Sequence, residues 1–140
     1  MKNKLNFMQI KNQTKDSADI YFYGDIVSSE WGAWESGDTY PEMVRDYLKE
    51  VENKNRLNIY INSPGGSVFA GLAIYNMLKR HKAEKTVYVD GVAASIASVI
   101  AMAGDRVIIP SNAFLMVHKP WTIAIGNADD FLKEIGRAHV

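Results

Sequence analysis

Cysteine is absent from the 140 residues, which excludes a disulfide framework, a thiolate nucleophile and a zinc–thiolate centre, and makes a reducing cytoplasm the expected compartment. An excess of charge of one sign is missing too. Sixteen basic residues balance sixteen acidic ones, so the formal net charge is +0 and there is no electrostatic footprint for a nucleic-acid backbone or an anionic membrane. No apolar run approaches the roughly eighteen residues of a membrane span. Met1 to Lys15 lacks the unbroken apolar stretch of a signal peptide, so neither insertion nor secretion is expected. What is present is a hydrophobic share of 47%, enough for one globular domain over residues 1–140 with its own core.

The pattern along the chain alternates between periods of two and 3.6 residues. Residues 1–18 are polar with scattered apolar positions and fit either an edge strand or an arm. Ile20 to Ile26 is aromatic and β-branched on both alternating faces, the composition of a strand covered on both sides. Ser28 to Asp38 reads as a loop whose Trp31 and Trp34 need burial or a partner, and packing beneath the loop is the expectation. Thr39-Tyr40-Pro41-Glu42 offers a capping hydroxyl and a first-turn proline, so a helix is expected from Thr39, with Met43, Val44, Tyr47, Leu48 and Val51 on its buried stripe. Arg56 to Asn62 is a strand that stops at Ser63-Pro64-Gly65-Gly66. A second helix starts at Val68 with Val68, Leu72, Tyr75 and Leu78 along one face, and its basic end, Lys79 to Lys82, suits the negative helix C-terminus. Thr86 to Val89 is a strand ended by Asp90-Gly91. Ala93 to Ala103 is expected to be a helix closed by Gly104, followed by strands over Arg106 to Ile109 and Ala113 to His118. A last helix begins near Asn127. This rhythm of stacked β-α crossover units gives an α/β class with a largely parallel sheet. The final helix has run barely two turns when Gly136 to Val140 ends the sequence, so the natural chain is expected to continue.

Three junctions offer chemistry. Gly65 and Gly66, before a helix, allow positive φ and free N–H groups that could hold an oxyanion; the alternative is an ordinary turn. Ser95, among small residues in the expected first helical turn, could be a nucleophile; alternatively Ser95 and Ser98 are small packing residues, and the surrounding motif departs from the nucleophile-elbow pattern. His118, ending an apolar strand, could serve as a general base or simply be a hydrogen-bonded structural group. His81 and His139 are weaker candidates. No histidine and carboxylate fall at metal-ligand spacing, and the phosphate-loop lysine is missing, so no metal or cofactor is expected.

Taken together, Ile61-Asn62-Ser63-Pro64-Gly65-Gly66-Ser67-Val68-Phe69-Ala70-Gly71-Leu72-Ala73-Ile74-Tyr75, Gly91-Val92-Ala93-Ala94-Ser95 and Met116-Val117-His118-Lys119-Pro120 resemble the proteolytic subunit of the Clp protease. They resemble its phage relative, the head maturation protease, more closely still, as do Tyr23-Gly24-Asp25-Ile26, Trp121 and Gly126-Asn127-Ala128-Asp129. The resemblance implies a Clp/crotonase-like fold and a serine endopeptidase. It also implies Ser95 as nucleophile, His118 as base, and the backbone N–H groups of Gly66 and Ile96 as oxyanion donors. It implies protein or peptide substrates, capsid or scaffold proteins for the phage type, and a homo-oligomeric ring. Whether an ATP-driven unfoldase feeds it stays open, since phage-type members generally stand apart from the dedicated one. The acidic triad member and most of the helical handle would lie beyond Val140; Asp90, Asp105, Asp129 and Asp130 do not match the family's position. Weak or absent turnover is the expectation for these 140 residues. Two other outcomes share the fold family: a coenzyme A thioester enzyme that uses the glycine N–H groups without Ser95, and a catalytically silent structural copy.

Overall fold

The computed structural model describes residues 10–11, 13–119 and 126–137. Six strands form one sheet: β1 (Ile10–Lys11), β2 (Ser17–Tyr23), β3 (Arg56–Ser63), β4 (Glu84–Ala94), β5 (Arg106–Ile108) and β6 (Phe114–Met116). Helices α1 (Pro41–Glu50), α2 (Val68–Arg80), α3 (Ile96–Ala101) and α4 (Ala128–Arg137) intervene or follow. β1 is the edge strand left open by the sequence, antiparallel to β2; every other pairing is parallel, as expected for crossover units. Among the described residues no helix is long and apolar enough to cross a membrane.

Strand alternation decides where the core lies. Ala18, Ile20 and Phe22 of β2, Leu57, Ile59 and Ile61 of β3, and Val87 and Val89 of β4 share one face and are buried beneath α1, α2 and α3, in a single cluster with Val44, Ile74, Leu78 and Ile100. Among the described residues the opposite face of these strands contributes nothing to that cluster, whereas cover on both sides is the expectation for β2. It carries a ladder in which Tyr21 stacks on Tyr60 and Tyr60 on Tyr88, with ring centroids 4.7 and 5.0 Å apart, in register across the three strands. Aromatic cross-strand pairs of this kind shelter each other.

Several boundaries differ from expectation for identifiable reasons. α1 begins at Pro41, and Tyr40, not Thr39, is the N-cap. Thr39 is drawn into the sheet edge instead, its N–H donating to Asp25 O and its C=O accepting from Val27 N. On the expected stripe of α1, Met43, Val44, Leu48 and Val51 are buried and Tyr47 is partly buried against the core. In α2 the buried face is Ala70, Gly71, Ile74 and Leu78, rotated from the expected one, and Leu72 is exposed. Small residues there let α3 approach so closely that a Cβ on Gly71 would lie 2.1 Å from Ile96 Cγ1.

The long strand β4 positions the site. It continues past Asp90-Gly91 to Ala94, so Ala93 and Ala94 are sheet residues and not the start of a helix. Between Ile61↔Val89 and Ser63↔Ala93 the register slips, setting Asp90, Gly91 and Val92 opposite Asn62. Past this bulge β6 lies along the last part of β4, on the edge away from β3, while β5 lies along the first part of that same edge.

Candidate active site

Parallel strands deliver their carboxyl ends to one edge of a sheet, and the segments after β2, β3, β4 and β6 meet there. The turn after β4 places Ser95 at φ 53° and ψ −128°; among the described residues it is the one non-glycine with positive φ. Such a conformation costs about 1–3 kcal/mol and persists only where its surroundings enforce it. Here they do: Ser95 N donates to Met116 O at 2.9 Å, and the buried Ser98 hydroxyl donates to Ser95 O at 2.6 Å. The Ser95 hydroxyl caps nothing in α3 and has no hydrogen-bond partner among the described residues. Ser95 thus precedes the helix instead of lying in its first turn. The strand–turn–helix shape is that of a nucleophile elbow. Alanines at 93 and 97 stand where that pattern has glycines, a signal the sequence carries two residues either side of Ser95.

The glycine pair comes from the turn after β3. Gly65 has φ 101° and Gly66 φ 142°, both in the region that favours glycine. A Cβ on Gly65 would sit 2.7 Å from Ala94 O and 2.8 Å from Ser95 Cβ, so the first glycine is pressed against the serine turn. On Gly66 a Cβ would strike Ile26 O at 2.1 Å. Ile26 bridges this segment to β2: its N–H donates to Gly65 O at 2.8 Å and its C=O accepts from Ser67 N at 2.7 Å. The buried Ser63 holds the turn by accepting from Gly65 N at 3.1 Å. Gly66 N–H is left out of this bridge, and Ile96 N–H, at the first position of α3, has no intrahelical acceptor.

His118 follows β6 by two residues and is exposed. It reaches the serine's edge of the sheet because Ala94 pairs with Met116, whose carbonyl also takes the Ser95 N–H. Among the described residues no carboxylate is hydrogen-bonded to it. Of the four aspartates of interest, Asp90, Asp105 and Asp130 use their carboxylates elsewhere, and Asp129 contributes its backbone N–H to the start of α4. Asp90 accepts from the Tyr23 hydroxyl, which burial and this bond push up to about 12. Asp105 accepts from Lys85 N at 2.7 Å. Asp130 accepts from Asn127 N and Asp129 N donates to Asn127 Oδ1, together capping α4. His81 is the C-cap of α2, with Nδ1 accepting from Ala83 N at 3.2 Å; burial first, then the Lys85 charge, lower its pKa. His139, Pro120 and Trp121 lie outside the described residues.

A family model described as Clp protease matches residues 7–138. The chain belongs to the Clp protease family. Among its relatives, the ATP-dependent Clp protease proteolytic subunit of Chlorella vulgaris is 43% identical over 91 residues, which are 63% of this chain and 45% of that protein. The protein of the same name from Bacteroides fragilis is 41% identical over 87 residues, covering 60% of this chain and 42% of its own length. That of Ligilactobacillus salivarius is 39% identical over 97 residues, 67% of this chain and 48% of the relative. The Clp-family chain therefore aligns with less than half the length of each.

Proposed function

We propose that this chain is the catalytic core of a Clp-type serine endopeptidase, with Ser95 as nucleophile, His118 as general base and Gly66 and Ile96 N–H as oxyanion donors. The observation that carries the reading is the strained Ser95, its turn tied through Met116 to the strand that His118 follows and packed on the other side against Gly65. In the reaction the His118 imidazole takes the hydroxyl proton as Ser95 Oγ attacks a peptide carbonyl. The oxyanion forms against the two amide N–H groups, and the imidazolium returns its proton to the departing amine. Water, deprotonated by the same imidazole, then cleaves the ester. A coenzyme A thioester enzyme would use the N–H groups but not a serine held at positive φ, so that conformation favours the peptidase.

The finer reading, cleavage of capsid or scaffold protein by a phage-type member, is supported by the motif resemblance alone. So is assembly into a ring. No described carboxylate orients His118, and loss of that partner in a serine triad costs about four orders of magnitude in turnover. Activity of these 140 residues is therefore expected to be weak. Covalent labelling is the suitable test because it needs only one turnover: a fluorophosphonate probe should label the parent chain, and Ser95→Ala should abolish the signal. Undiminished labelling of Ser95→Ala would overturn the assignment.

A further inference from the structure

The loop between β2 and α1 holds the largest exposed apolar side chains among the described residues. Trp31 is 94% exposed and Trp34 89%, so the expectation that they pack beneath the loop is wrong. The loop itself is firmly built. Asp38, buried beneath it, accepts from the N–H groups of Asp25, Trp34 and Glu35 at 3.2, 2.9 and 3.1 Å. Its two ends cross backbone to backbone, where a Cβ on Gly37 would lie 2.2 Å from Tyr23 O. Two tryptophans presented to water on a rigid frame form a preorganised apolar surface, for which little ordering entropy remains to be lost on binding.

Its position identifies the occupant. The loop departs from Ile26, which pairs directly with Gly66, so its root is one strand spacing, about 4.8 Å, from the proposed oxyanion segment. Trp31 is five residues from Ile26, which bounds its Cα to within about 18 Å of that point. A 3₁₀ turn over Glu30–Gly32 shortens the path further. An extended peptide advances about 3.3 Å per residue, so a side chain three or four residues from the scissile bond lies within reach. Phe69, 86% exposed and three residues past Gly66, adds another large apolar side chain to the α2 side of the same edge.

We propose that Trp31 and Trp34 form a subsite for an apolar side chain of the substrate, a few residues from the cleaved bond on the β2 side of Ser95. This rests on the peptidase reading, and the test separates the two. A fluorescently tagged peptide with leucine and phenylalanine near its centre, and one with serine and glycine there, are titrated by anisotropy into the Ser95→Ala chain. Replacing both tryptophans with alanine should weaken the apolar peptide about tenfold and leave the polar one unchanged, while the Phe/Phe variant retains most of the affinity. Labelling of the Ser95-containing Trp31→Ala/Trp34→Ala chain by a small alkyl fluorophosphonate should match that of the parent. Equal affinity of the apolar peptide with and without the tryptophans overturns the subsite, as does failure of both peptides to bind. So does conversion of a dimer or larger species to a monomer by the double alanine variant, which would give the tryptophans to a second copy. Failure of the parent to label would instead indict the peptidase reading.

Discussion

At the scale of single residues the site rests on two backbone conformations that side chains normally avoid, at Ser95 and at the Gly65–Gly66 pair, packed against each other. Gly65→Ala puts a methyl group at φ 101° against Ala94 O and Ser95 Cβ. The φ alone costs about 1–3 kcal/mol. The variant should therefore melt lower than the parent and lose most fluorophosphonate labelling, because relief of the overlap must displace the Ser95 turn. Ser98→Ala removes a buried hydroxyl that donates to Ser95 O at 2.6 Å, and about 1 kcal/mol is expected in urea unfolding. Its labelling should slow without vanishing, since the nucleophile remains. Ser95 and the glycine pair stand out in the sequence as candidates. The positive φ at Ser95 is not legible, because it is held by a hydrogen bond to Met116 O, distant in sequence, together with the Ser98 hydroxyl on Ser95 O.

Elements whose signal is local were the ones the sequence revealed: β3 from its alternation, α1's stripe from its period, the basic end of α2. What it misjudged were features set by neighbours. Ala93 and Ala94 have helical propensity, yet ladder pairing with Ser63, Leu115 and Met116 extends β4 through them. Trp31 and Trp34 are apolar, yet the Asp38 carboxylate organises their loop from within and leaves both rings outside. The start of β4 depends on a charge pattern equally invisible to periodicity. Lys85 is buried, its ammonium donating to His81 O at 3.0 Å and Ala83 O at 2.5 Å and lying 3.6 Å from Asp105, which also accepts from Lys85 N. That backbone hydrogen bond, followed by the Lys85 charge, lowers the Asp105 pKa below its ordinary 3.8 against the opposing effect of desolvation. A carboxylate with a depressed folded-state pKa stabilises the fold above the unfolded value and loses that contribution as pH falls through the folded one. The difference in melting temperature between parent and Asp105→Asn should therefore be full near pH 6 and shrink below about pH 4. A gap that widened on acidification would contradict the link.

For the whole molecule, the family match covers nearly all of the sequence while its relatives are more than twice as long as the aligned part. The proposed nucleophile, base and oxyanion donors all come from segments at the sheet edge described, where no described carboxylate is hydrogen-bonded to His118. Phe114 and Val117, 70% and 75% exposed on and just beyond β6, give that edge an apolar character suited to a second copy. Light scattering at millimolar concentration should accordingly report a mass above the monomer, and a clean monomer would count against an interface retained in this chain. The central claim concerns one hydroxyl. Incubating the chain with a fluorophosphonate, digesting it and sequencing the adducted peptide by mass spectrometry should place the modification on Ser95, at a rate that drops sharply in His118→Ala. An adduct on another serine, or one on Ser95 that forms equally fast without His118, would contradict the account.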